Sequence, residues 1–328
     1  MIRADVLARL RGRTVAVIGD VMLDEFLIGR VDRISPEAPV PIVRFERREY
    51  RLGGAANVAH NVCSLGGHAT LVGLVGDDAA GTALRAELAS RGLSNAQLVI
   101  DRTRATTKKT RIVTTHNQQV ARVDYEQDDA PSAEALAALR AAAIAAARAA
   151  DAIILSDYRK GVVAPEVIAA VAGVARATGR PLLIDPKIAD ASHYRGATLL
   201  TPNHHEAELM TGISIRTSDD ARRAAREIHA RAQTSVLITW GEHGMWLFDA
   251  SSTPAQDAEI PAAAREVADV TGAGDTVIAT LALALSAAIP LKDAARLATL
   301  AAGIVVGRFG PATVSADELA DAIAASPW

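Results

Sequence analysis

Short apolar runs rich in β-branched residues alternate with longer helix-forming stretches along most of the chain. Residues 14–18 end at Gly19-Asp20, 69–75 at Gly76-Asp77-Asp78, and 152–155 at Ser156-Asp157-Tyr158. Residues 181–184 end at Asp185-Pro186-Lys187, 199–200 lead to Thr201-Pro202-Asn203, and 235–238 lead to Thr239-Trp240-Gly241. Continuous apolar runs closed by polar tails predict strands covered on both faces, as in a parallel sheet. Between them, residues 55–65, 81–90, the alanine-rich 131–150 and 165–178 predict helices. Strand–helix alternation implies βαβ units with right-handed crossovers. In such sheets ligands sit at the carboxyl edge, where these polar tails fall.

Two segments break the pattern. Residues 107–113 alternate like a half-exposed strand, with 118–124 as a hairpin partner. Residues 34–45 carry Pro36, Pro39 and Pro41, which fit an edge strand or projecting flap. No internal repeat or low-complexity linker divides the chain. The expectation is one α/β domain over 1–328, with a small strand lid from about 31–51 and 107–124.

Composition narrows the class. Half of the 328 residues are hydrophobic, enough for one large domain or two modest ones. A net charge of −3 gives no global basic field for nucleic acid. The single cysteine, Cys63, excludes a disulfide framework and points to a reducing, cytoplasmic compartment. The start, Met1-Ile2-Arg3-Ala4-Asp5-Val6, lacks the apolar core of a signal peptide. The longest uncharged run, 277–291, is too short to span a bilayer and contains Pro290, so no membrane insertion is expected. No P-loop, no Gly-x-Gly-x-x-Gly after the first strand, no Cys-x-x-Cys and no His-Glu-x-x-His occurs. The adjacent His204 and His205 would face apart on a helix or strand.

Candidate chemistry gathers at a few stretches. In Asp269-Val270-Thr271-Gly272-Ala273-Gly274-Asp275, two glycines precede an uncharged helix-forming run. Unpaired N–H donors and the helix dipole make such a start an anion site, and Asp275 in the first turn could take a hydroxyl proton. Alone, the stretch reads first as a glycine-bearing turn with an acid near the helix cap. Asp20 and Asp24, past the first strand, are either diol acceptors or turn formers. Gly53-Gly54-Ala55-Ala56-Asn57 offers close backbone approach with an amide side chain, or plain loop-to-helix packing. Lys108, Lys109, Arg111 and Arg122 form either a solvated strand face or a phosphate-binding cluster.

Together these stretches resemble the ribokinase-like (PfkB) carbohydrate kinases. The signatures are Gly53-Gly54-Ala55-Ala56-Asn57-Val58-Ala59 and Asp269-Val270-Thr271-Gly272-Ala273-Gly274-Asp275, with Asn203-x-x-Glu206 and Thr239-x-Gly241 between them. The resemblance implies a three-layer α/β fold: a mostly parallel central sheet, flanking helices and a small β-strand lid. It implies ATP as co-substrate, Mg2+, and K+ as a further cation. It assigns Asp275 as catalytic base and Gly272, Ala273 and Gly274 as anion hole. It assigns Asp20, Gly53, Gly54 and Asn57 to the sugar, with Asp185 placed beside them. Asn203, Glu206, Thr239, Gly241 and Gly244 would serve the nucleotide, Glu206 acting on the metal indirectly. Asp269 and Thr271 would hold a monovalent cation. A homodimer is also implied.

Gly19-Asp20-Val21-Met22-Leu23-Asp24, the proline-rich segment 33–41, Asn117-Gln118-Gln119, Leu155-Ser156-Asp157-Tyr158 with Lys160-Gly161, and 195–203 resemble the members that phosphorylate heptose 7-phosphate for lipopolysaccharide. That acceptor carries a phosphate, for which Lys109 and Arg111 are the candidates. Many such relatives continue into a nucleotidyltransferase domain; with the chain ending at Trp328, a stand-alone kinase is expected. Another sugar kinase, a non-catalytic sugar- or nucleotide-binding protein, and a structural protein are the competing readings.

Overall fold

The computed structural model describes residues 6–127, 129–263 and 267–326; the N-terminal residues 1–5 and Trp328 noted above lie outside them. The strands are β1 Thr14–Gly19, β2 Val21–Ile34, β3 Pro41–Gly54, β4 His68–Val75, β5 Gln97–Ile100, β6 Lys108–Thr114, β7 Gln119–Tyr125, β8 Ala152–Ser156, β9 Leu182–Asp185, β10 Leu199–Leu200, β11 Ser235–Thr239, β12 Met245–Asp249 and β13 Gln256–Ile260. Among the described residues they form a nine-stranded sheet, ordered β13-β12-β11-β10-β9-β8-β1-β4-β5, and a four-stranded sheet, β3-β2-β6-β7. The large sheet is parallel from β11 to β5, and β12 and β13 add antiparallel strands at one edge.

Strand periodicity explains the layers. Val15 and Val17 enter one apolar core, and Ala16 and Ile18 enter the other. Helices Ala55–Ser64, Ala273–Ser286 and Leu291–Val305 cover the first face. Ala133–Ala149, Pro165–Thr178 and Ser218–Ala232 cover the second. A sheet sandwiched in this way is the ribokinase-like three-layer arrangement.

The four-stranded sheet starts at Val21, about ten residues before the anticipated boundary, because β1 passes through Asp20 directly into β2. Asp24, a turn-former candidate in sequence, lies buried within β2, as does its neighbour Glu25. Cations on β6 compensate them: Arg111 pairs with Asp24, and Lys108 reaches Glu25 at 3.0 Å. A buried charge persists only when paired and hydrogen-bonded. β6 and β7 pair antiparallel, as the alternation predicts. Among the described residues no helix is long and apolar enough to cross a membrane.

Candidate active site

The helix Ala273–Ser286 is buried from Asp275 to Ala284, while Gly274 ahead of that stretch stays exposed. Gly272 caps it at φ 80°, a left-handed conformation that disfavours side chains. A Cβ there would also lie 2.8 Å from Asn57 Nδ2. Among the described residues the N–H groups of Gly272, Gly274 and Asp275 have no partner, whereas Ala273 N–H donates to Val270 O at 3.2 Å. The anion hole read from sequence therefore loses Ala273: its donor closes the turn. A Cβ on Gly274 would meet nothing within 4 Å, so space is open on that side of the turn.

Asp275 is only 4 % exposed. Its Oδ2 accepts from Asn57 Nδ2 at 2.8 Å and its Oδ1 from the Tyr158 hydroxyl at 2.7 Å. Burial pushes its carboxyl up to about 6; the two donors and Lys187 pull it back, and Asp24 pushes it further up. It is thus mostly ionised at neutral pH yet close to it, as suits a general base. Behind it, Thr276 Oγ1 donates to Asn61 Oδ1 at 2.9 Å, fastening the two helices that carry Asp275 and Asn57.

On one side stand Gly53 and Gly54. A Cβ on Gly53 would lie 2.5 Å from Asp24 Oδ2, and one on Gly54 (φ 55°) 2.3 Å from Asp20 O. It is therefore Asp24 that faces the glycine turn. Asp20, expected to bind sugar, turns away: its carboxylate accepts the N–H groups of Tyr158 (2.7 Å), Lys160 (3.0 Å) and Val162 (3.0 Å). Asp20 is a loop clamp because three amides converge on it in a buried place. Of the two expected phosphate ligands, Arg111 is paired with Asp24, while Lys109, beside it on β6, has no ion-pair partner within 4 Å among the described residues.

On the other side, Lys187 Nζ bridges Asp185 Oδ1 (3.0 Å) and Glu206 Oε1 (2.6 Å). Burial pushes the Asp185 carboxyl up to about 7, with Lys187 opposing. Burial works against the Lys187 charge too, but the two carboxylates outweigh it and hold its pKa above the usual lysine range. Asp185 thus shares a cation with Glu206, and among the described residues no hydrogen bond or ion pair joins it to Asp24 or Asn57. Asn203 Oδ1 accepts from Glu206 N (3.0 Å), and Glu206 Oε2 accepts from Asn203 N (2.8 Å). That reciprocal pair caps the helix His204–Thr211, so the Asn-x-x-Glu spacing has a local structural cause as well. Thr239 N bonds Pro202 O at 3.0 Å, which brings β11's end beside Asn203. Gly241 (φ 55°) and Gly244 (φ 83°) shape the following turn.

Asp269 and Thr271 bind each other: Asp269 Oδ1 accepts Thr271 N (2.9 Å) and Oγ1 (2.7 Å), and Oδ2 accepts Gly310 N (3.0 Å). These side chains fit a loop clamp; they give no support to a monovalent-cation cage. Sequence reasoning missed Tyr158 and Lys187 as site residues. The only hint of Lys187 was charge at the end of β9; Tyr158 carried no chemical hint at all.

A family profile described as "pfkB family carbohydrate kinase" matches residues 13–318. A "Bifunctional protein HldE" of Pelobacter propionicus is 46 % identical over 96 % of this chain and 64 % of its own length. One from Caulobacter sp. is 48 % identical with the same coverages. The chain thus spans just under two thirds of those curated relatives. Among solved structures, phosphofructokinase-2 from Escherichia coli in complex with fructose-6-phosphate superposes with a TM-score of 0.76 at 20 % identity, covering 96 % of this chain and 99 % of that one.

Proposed function

The chain belongs to the pfkB family of carbohydrate kinases, and on that premise we propose that it transfers the γ-phosphoryl group of ATP to the anomeric hydroxyl of D-glycero-β-D-manno-heptose 7-phosphate, giving the 1,7-bisphosphate and ADP for lipopolysaccharide heptose supply. The observation that carries the reaction type is a buried carboxylate, Asp275, in the first turn of a helix whose N-terminal donors are open. The heptose acceptor draws its support from the relatives named HldE and from the heptose-kinase-like stretches of the sequence.

Asp275 takes the proton as the hydroxyl oxygen forms its bond to the γ-phosphorus; the bond to the bridging oxygen of ADP breaks. The N–H groups of Gly272 and Gly274 and the Lys187 ammonium stabilise the charge that gathers on the transferring group. Asp24, Gly53, Gly54 and Asn57 line the sugar side, and Asn203, Glu206, Thr239, Gly241 and Gly244 the nucleotide side. Among the described residues no three His, Cys, Asp or Glu side chains form a metal cage. Asp185 and Glu206, with Lys187 between them, suit Mg2+ that keeps most of its water and is bound chiefly by phosphate oxygens. Mg2+ supplies neutralisation of phosphate charge; Glu206 and Asp185 would hold it through water. Exposed Ile34, Phe45 and Tyr125 on the small sheet, with Val40 in the turn between β2 and β3, favour pairing with a second copy, read by light scattering.

The test is coupled ADP release with both anomers of heptose 7-phosphate beside fructose 6-phosphate. Turnover should be highest with a heptose anomer. Preference for fructose 6-phosphate would reassign the acceptor, and no ADP release with any sugar would favour a binding protein. Lys109→Ala should raise KM for the phosphosugar roughly tenfold, about 1.4 kcal/mol, with KM for ATP unchanged. An unaltered sugar KM would remove Lys109 from the phosphate site.

A further inference from the structure

Tyr158 has no part in the scheme above, yet it touches the base. Its hydroxyl donates to Asp275 Oδ1 at 2.7 Å, and its pKa is driven well above 10 by burial and then by the Asp275 charge. It therefore stays a donor. The segment bearing it folds back sharply after β8, with Arg159 at φ 58° and Gly161 at φ 97°. One carboxylate holds that shape: Asp20 accepts from the N–H groups of Tyr158, Lys160 and Val162. Asp20 also reaches the other donor to the base. Its carbonyl accepts Ala55 N–H at 3.0 Å, at the start of the helix that carries Asn57, and its own N–H donates to Ser156 O at 3.1 Å. A single buried residue at the end of β1 thus fixes the origin of both groups that grip Asp275.

We propose that Asp20 and Tyr158 form a positioning relay for the catalytic base: Asp20 fixes the segment 158–162, and the Tyr158 hydroxyl aims the Asp275 carboxylate and holds it ionised. Asp20 is then a positioning residue and not a sugar ligand. The inference rests on Asp275 being the base of the proposed transfer.

The charged groups around Asp275 set the background. Lys187, following β9, favours its ionised form and Asp24 on β2 opposes it, while Asn57 donates from the helix side. Removing only the Tyr158 hydroxyl should leave these in place. A hydrogen bond to a carboxylate stabilises the charged form, so its loss lets burial raise the midpoint of Asp275, by about one pH unit.

The test is Tyr158→Phe in the full chain, followed by 13C titration of labelled aspartate carboxyls in the free protein. The Asp275 signal is assigned by its absence in Asp275→Asn. Its midpoint should rise by about one unit, the acid limb of kcat/KM should move up with it, and KM for ATP should stay. Asp20→Asn should shift the midpoint the same way, and should add less than half its own effect in the Tyr158→Phe background. A midpoint and acid limb unmoved in Tyr158→Phe, with only thermal stability lowered, would reduce Tyr158 to packing and overturn the relay. The titration needs no turnover. A shifted midpoint with no sugar phosphorylated would sink the kinase reading while the relay stands.

Discussion

Asp275→Asn should abolish turnover, lowering kcat by on the order of 10²–10⁴ as expected for loss of a general base, while ATP still binds within about twofold of wild type. Coupled ADP release and calorimetric ATP titration read the two effects separately; near-normal kcat would remove Asp275 as the base. The same variant carries a second, opposite expectation. Burial lifts this carboxyl from 3.8 to about 6. The folded state therefore holds the proton more tightly than the unfolded chain, and ionising it costs stability as the pH rises from about 4 through 6. Two units correspond to at most about 3 kcal/mol. Asparagine keeps the shape without the charge. The variant should melt above wild type at pH 8, and the gap should close towards pH 4. A lower melting temperature at pH 8 would contradict this assignment of the burial cost.

Lys187→Ala should have the next largest effect, on both rate and stability. It removes the cation held between Asp185 and Glu206 and leaves those two carboxylates facing each other. Removing one partner of a buried ion pair costs about 3–5 kcal/mol; with these side chains 16–21 % exposed, about 2–3 kcal/mol is expected. The rate should fall on the order of 10²-fold, the scale for losing one preorganised charge-stabilising group. The pH signature separates this from general loosening. Asp185, already raised to about 7 with Lys187 present, should titrate higher without it. The destabilisation should be full only above the variant's raised Asp185 midpoint and should shrink as the pH falls towards 7, where Asp185 in the variant has already taken up its proton. Equal melting temperatures at pH 8, or kcat within twofold of wild type, would exclude this role.

The large sheet was legible because β1, β4, β8, β9 and β11 are apolar on both faces, a pattern with few alternatives. β13 was not: Gln256-Asp257-Ala258-Glu259-Ile260 is a polar strand at a sheet edge, and its partners lie on β12, not in its own composition. Asp24 misled for a related reason, since the cation that allows its burial, Arg111, stands more than 80 residues away. The two motifs do bring Asn57, Gly272 and Asp275 together, because their spacing fixes the backbone. The Tyr158 contact was not readable, because it joins residues 117 apart through side chains alone. The three backbone amides that converge on the Asp20 carboxylate were not legible, because amides leave no trace in side-chain identity. Asn203 and Glu206 show the limit of spacing itself, since the same separation answers to a helix cap and to a nucleotide motif.

The passage of β1 into β2 through one residue has a mechanical consequence. β3 likewise meets the core without a linker, where Gly54 gives way to the helix at Ala55, and the Asp20 carbonyl is bonded to Ala55 N–H. The small sheet is thus attached on this side by a short two-strand hinge with a crosspiece. A swing about that hinge would move Asp24, Lys109 and Arg111 relative to the base, while Asn57 and Tyr158, rooted on the core side, would keep Asp275 still.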